Sequence, residues 1–155
     1  MGIIIDKPTN FSKTQLGELR KLIKTGGEVD TEWLETRVIH ADLIGVVIKD
    51  HKIVATATLK NPSTNYRDRV FASAKTANGN AYAKELGYIV THPDFEGQKL
   101  CQTLLSELMP KVNTQKIYAT TRKPSMNHIL SKYGFKITGE KYKEDLNLLI
   151  FDDKV

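Results

Sequence analysis

Cysteine is almost missing from this chain. Cys101 is the single one, which excludes an internal disulfide and fits a reducing compartment. Long apolar runs are missing as well: the longest, Leu43 to Ile48, falls far short of the ~20 residues a membrane-spanning helix needs. Aromatic residues are few. No arginine-rich arm, zinc-finger spacing or RNA-binding aromatic signature accompanies them, so a net charge of +5 gives nucleic acid no support as a partner. His40, His51, His92 and His128 share no metal-ligand spacing with a thiol or carboxylate, which argues against a zinc site and leaves no metal expected. A Gly-x-Ser-x-Gly elbow and a Walker loop are both lacking. Gly2-Ile3-Ile4-Ile5 runs into Asp6-Lys7-Pro8 without a basic start or a small-residue cleavage site, and Asp6 stands where myristoylation wants Ser or Thr. The expectation is a cytoplasmic protein with no membrane attachment.

What is present is a globular composition. At 155 residues, 40% of them hydrophobic, the chain fits a single domain over 1–155 that buries close to ~70% of its unfolded surface. The 23 Lys and Arg outnumber the 18 Asp and Glu, a balance that favours an anionic cofactor or another acidic partner.

Ile3 to Ile5 reads as an opening strand. Ser12 and Gln15 have capping-box spacing, Phe11 and Leu16 the spacing of a hydrophobic staple, and Leu16, Leu19, Leu22 and Ile23 line one helical face that ends at Gly26-Gly27. A second short helix begins at Asp30 as N-cap and turns Trp33, Leu34 and Val38 inward. Residues 42–49 and 52–59 form a hairpin about Asp50-His51. Asn, Ser, Thr, Ala and Gly dominate 61–82, which reads as a mobile excursion in which Val70-Phe71 extends a strand.

The second half is more regular. Leu86 to Val90 is a strand that meets the turn Thr91-His92-Pro93-Asp94. Leu100, Leu104, Leu105, Leu108 and Met109 then trace the buried face of a helix ending near Pro110. A strand at Ile117 to Thr120 precedes a helix that starts at Pro124, carries Met126, Ile129, Leu130 and Tyr133 on one face, and is capped by Gly134. Final strands lie near 136–141 and 146–151. The strand–helix–strand units imply a partly parallel section in an otherwise antiparallel sheet.

The chemistry centres on 85–105. A strand that ends in a turn and opens into a helix offers unpaired backbone N–H groups and the positive end of the helix dipole, an anion site suited to a pyrophosphate. Gly97 lets the backbone approach such a ligand closely. Here the sequence resembles the GNAT superfamily of acetyl-CoA-dependent N-acetyltransferases. In that family a strand ends in a Val-x-Pro-like turn, followed by Gln/Arg-x-x-Gly-x-Gly/Ala at the mouth of a helix. Val90, Pro93 and Phe95 fall in place, followed by Glu96-Gly97-Gln98-Lys99-Leu100-Cys101, and Lys132-Tyr133-Gly134-Phe135 matches the later Gly-Phe frame. The phosphate loop is degenerate: Glu96, Lys99 and Cys101 stand where the family has Gln/Arg, Gly and Gly/Ala, and Leu130 takes the place of its frequent tyrosine.

The resemblance implies an α/β (α+β) fold, a mixed and splayed sheet of about seven strands flanked by about four helices. It implies acetyl-CoA as co-substrate, held by Ile89, Val90 and Thr91 along the strand and by Glu96, Gly97, Gln98, Lys99, Leu100 and Cys101 in the loop. The acetyl group would pass by direct attack to a primary amine on a small molecule or peptide. Glu85 is the candidate base and Tyr133 the candidate acid for the departing thiolate. Each has a plain alternative: Glu85 as a solvent-facing strand residue, Cys101 as a packed thiol, Tyr133 and Met126 as core, and His92 and Asp94 as turn formers. A catalytically weak or inactive GNAT-fold protein that binds CoA or a partner stays open, as do monomer and homodimer. Asp152-Asp153 reads as a solvated tail.

Overall fold

The computed structural model describes residues 1–27 and 31–152. Asp30, the expected N-cap, and Asp153 lie outside the described residues. The elements run β1 (Gly2–Asp6), α1 (Lys13–Thr25), α2 (Leu34–Ile39), β2 (Leu43–Lys49), β3 (Lys52–Lys60), α3 (Thr64–Ser73), β4 (Lys84–Thr91), α4 (Leu100–Val112), β5 (Ile117–Thr121), α5 (Pro124–Lys132), β6 (Lys136–Tyr142) and β7 (Leu146–Phe151). The seven strands make one mixed sheet in the order β1-β2-β3-β4-β5-β7-β6. The chain divides into two compact units, one of residues 1–60 and 86–110, the other of residues 61–85 with those from 111 onward.

The first unit is built on the β1-β2-β3 meander. Asp50 and His51 both take left-handed backbone conformations, which suits the twist of a two-residue hairpin. Strand alternation sends Ile44 and Val46 to one face, where they join Leu19, Leu22 and Ile23 of α1 and Leu34 and Val38 of α2 in one core cluster. Gly45 points the other way, and a Cβ there would meet Leu104 of α4 at 3.1 Å. The capping box forms as expected: Ser12 Oγ accepts from Gln15 N (3.0 Å) and Ser12 N donates to Gln15 Oε1 (2.8 Å). Trp33 departs from expectation. It is 65% exposed, with φ of 64° at the N-cap of α2. A left-handed residue interrupts the helical period, so its indole leaves the face that Leu34 and Val38 share.

The second unit holds a helix where the sequence reads as a mobile excursion. Residues 64–73 form α3, so the molecule has five α-helices among the described residues rather than about four. Ser63 starts it, its Oγ accepting from Tyr66 N at 3.1 Å. Val70 and Phe71 are buried in α3, and Phe71 packs its ring on Tyr82 and Tyr118 at centroid distances of 5.4 Å each. Polar residues dominate the rest of the helix, which hides its period. The expected parallel section is present: β4 pairs with β5 at Lys84–Ile117 and Glu85–Tyr118, whereas β5–β7 and β7–β6 are antiparallel. Pro110 sits inside the last turn of α4, which continues to Val112.

Candidate functional site

Gly87 precedes a residue that breaks the rule of its strand. Tyr88 has φ of 51° in the middle of β4, a conformation that bulky side chains rarely take. Its side chain is nonetheless 5% exposed and belongs to the α1–α2 core. Downstream, Val90 lies against the end of α1, where a Cβ on Gly26 would meet Val90 Cγ2 at 2.7 Å. The strand then passes into a tight turn. His92 N donates to Val54 O of β3 (2.7 Å), His92 Nδ1 accepts from Asp94 N (3.1 Å), and Phe95 N returns to His92 O (2.9 Å). His92 and Asp94 therefore act as turn formers.

The loop into α4 is bent by two left-handed residues. Gly97 has φ of 82° and Lys99 of 58°, with Gln98 between them outside that region. Such alternation of backbone hand turns successive N–H groups toward a common concavity, the arrangement that cradles anions. A Cβ at Gly97 would meet nothing within 4 Å, so the approach to this backbone is open. Thr103 N and Thr103 Oγ1 both donate to Lys99 O at 3.0 Å, which fixes where the intrahelical bonds begin. The amides of Leu100 and Cys101 thus fall in the first turn, where a helix has no internal acceptor for them. Glu96 is exposed, its charge in solvent, and Lys99 is exposed beside it. A further cation comes from outside the motif: Lys49 Nζ, at the end of β2, donates to Gln98 Oε1 (2.6 Å) and lies 5.8 Å from the Phe95 ring centroid. The residues present fit a diphosphate through backbone donors and lysine charge.

Burial pushes the half-buried Cys101 thiol up to about 11, which disfavours the thiolate near neutral pH.

In the second unit Glu85 is 3% exposed, which removes the reading of it as a solvent-facing strand residue. Its register partner is Tyr118 on β5, fully buried. The hydroxyls of Tyr118 and Tyr142 are buried with no hydrogen-bond partner among the described residues. Burial, and after it the Glu85 charge, raises both phenols: Tyr142 to about 12, Tyr118 further still. Arg67 partly counters this at Tyr118, and Arg122 does so at Tyr142. Tyr133 is the C-cap residue of α5, its N–H donating to Leu130 O. The phenols that the Glu85 charge reaches are those of Tyr118 and Tyr142, which the sequence reading missed. Tyr88 was missed as well, though a lone glycine inside a strand, Gly87, is a signal for a bulge. For Lys49 no local signal exists, because it meets Gln98 only through the fold.

No protein-family model matches the sequence, and no curated protein matches it. Solved structures do. ElaA of Escherichia coli superposes with a TM-score of 0.73 at 15% identity, covering 97% of this chain and 99% of that one. A GNAT-family acetyltransferase from Streptococcus agalactiae gives 0.70 at 16% identity, over 100% of this chain and 98% of that one. The PaiA N-acetyltransferase of Thermoplasma acidophilum, solved in complex with coenzyme A, gives 0.62 at 15% identity, over 98% and 99%. Identities this low carry the architecture alone. The chain has the fold of the GNAT acetyltransferases, as the resemblance implied.

Proposed function

We propose that residues 1–155 form one acetyl-CoA-dependent N-acetyltransferase domain that acts on a primary amine. The observation that carries this reading is the left-handed pair Gly97 and Lys99 opening α4, an anion cradle at the mouth of a helix in a GNAT fold. Leu100 and Cys101 contribute first-turn amides, Glu96 to Lys99 supply the loop, and Lys49 and Lys99 offset phosphate charge. Acetyl-CoA supplies an activated acyl thioester. Peptide groups of Ile89, Val90 and Thr91 hold its arm and donate to the thioester oxygen.

Glu85 is the proposed base. An alkyl ammonium with a pKa near ~10 must shed a proton before its nitrogen can attack, and a buried carboxylate on β4 can receive it. Nitrogen then bonds to the acyl carbon as the carbon–sulfur bond breaks. Tyr133 is assigned to give its hydroxyl proton to the thiolate; the second proton of the nitrogen restores that phenol through water, and Glu85 releases the first to solvent. The acceptor is a small molecule or a peptide bearing the amine, and the cytoplasm is the proposed compartment.

Thermal melting with and without acetyl-CoA tests the cofactor, since a ligand of the native state raises the midpoint by mass action. Thiol release over a panel of amines then separates an enzyme from a silent CoA binder. Absence of any shift rejects both.

A further inference from the structure

Tyr88 occupies a conformation that costs free energy, so something must hold it there. The ring itself is packed in the α1–α2 core. The last residue of β3 supplies a second constraint. Lys60 Nζ lies 4.2 Å from the centroid of the Tyr88 ring, well inside the ~6 Å range of cation–π attraction. It reaches that position because Gly87 has no side chain: a Cβ there would meet Lys60 Cδ at 2.9 Å. The half-buried stem of Lys60 therefore lies across β4 at residue 87 and its ammonium covers residue 88. Four residues later the His92–Val54 hydrogen bond ties β4 to β3 again. The segment between is fixed at both ends, with the left-handed residue inside it.

We propose that Lys60 is a positioning residue that clamps Tyr88 in its left-handed turn and thereby aims the peptide groups of Ile89, Val90 and Thr91. That those groups meet an acyl-CoA arm rests on the function proposed above; the clamp on Tyr88 does not. The Tyr88 hydroxyl plays no part in the clamp. It is buried without a hydrogen-bond partner among the described residues, and it is the aromatic face that Lys60 covers.

The test uses isotopically labelled full-length protein as wild type, Lys60→Met, Lys60→Arg and Tyr88→Phe. The conformation at residue 88 is read from its amide–Hα scalar coupling and its Cα and Cβ shifts, and coenzyme A affinity by calorimetry. Wild type, Lys60→Arg and Tyr88→Phe should all keep the positive-φ signature. Lys60→Met should lose it in a measurable fraction of molecules and bind coenzyme A about three- to tenfold more weakly, as expected for loss of one cation–π contact. A Lys60→Met protein with the wild-type coupling and shifts overturns the clamp. Altered Tyr88 geometry with unchanged affinity overturns its link to the acyl arm. A wild type that binds no coenzyme A removes the transferase reading, while the coupling at Tyr88 still decides the role of Lys60.

Discussion

Lys49 and Gln98 stand far apart in sequence, yet Lys49 Nζ donates to Gln98 Oε1 over 2.6 Å. The bond ties the end of β2 to the crest of the loop and brings a positive charge to a place where diphosphate is expected. Lys49→Met should weaken coenzyme A binding by about three- to tenfold, and the deficit should shrink at high salt, because a charge–phosphate attraction is screened. Calorimetry at two ionic strengths checks this. An equal deficit at both would assign Lys49 to loop packing alone.

Gly97 combines φ of 82° with open space at its missing Cβ. Alanine there meets no neighbour, so only the left-handed backbone opposes it, at about 1–2 kcal/mol. Glutamate adds bulk and negative charge where phosphate should lie. We expect Gly97→Ala to bind acetyl-CoA weakly and Gly97→Glu to show no ligand-induced rise in melting temperature. An undiminished rise in the glutamate variant would displace the loop from the cofactor site.

Glu85 makes a kinetic prediction with a definite sign. A base acts in the chemical step rather than in binding, so in Glu85→Gln kcat should fall by about 100-fold or more, with the KM for acetyl-CoA little changed. Stopped assays of thiol release read both. An unchanged kcat in the glutamine variant takes Glu85 out of the chemistry.

Gly139 tests the second unit. With φ of 67° and Ala74 O only 2.0 Å from where a Cβ would stand, it lets β6 touch the end of α3, and Glu140 N donates to the same Ala74 O at 2.8 Å. Gly139→Ala must push backbone from backbone, and we expect a loss of about 2–4 kcal/mol by urea unfolding. A neutral result would mean that the end of α3 yields without cost.

The thiol of Cys101 makes a chemical prediction. Raised by burial from 9.0 to about 11, it should react with iodoacetamide about 100-fold more slowly at pH 8 than an unperturbed thiol. The same shift gives a stability trend. The folded state keeps a proton that the unfolded state loses, so this contribution is intact below about pH 9 and is lost as pH rises toward 11. Melting temperatures of wild type and Cys101→Ala should diverge over that window. Rapid alkylation at pH 8 would contradict the burial.

How much was legible in the sequence follows from where each signal resides. The capping box at Ser12, the Asp50-His51 hairpin and the leucine stripe of α4 are local patterns, and all three form. Helix α3 was lost because its apolar face amounts to Val70 and Phe71 within a polar run; the burial that holds it comes from Tyr82 and Tyr118, distant in sequence. Trp33 misled because a left-handed residue breaks helical spacing without announcing itself in composition. At the site the loop glycine was readable, since a turn demands it. Lys49, Lys60, Tyr118 and Tyr142 were not, because each acquires its meaning from a residue distant in sequence that only the fold brings near.

Titration of coenzyme A into the purified protein by isothermal calorimetry tests the cradle at residues 96–101 most directly. The account predicts saturable heat with one site and a dissociation constant of about 10 μM or tighter, roughly −7 kcal/mol. No heat at millimolar coenzyme A would contradict it, and the proposed transferase activity would fall with it.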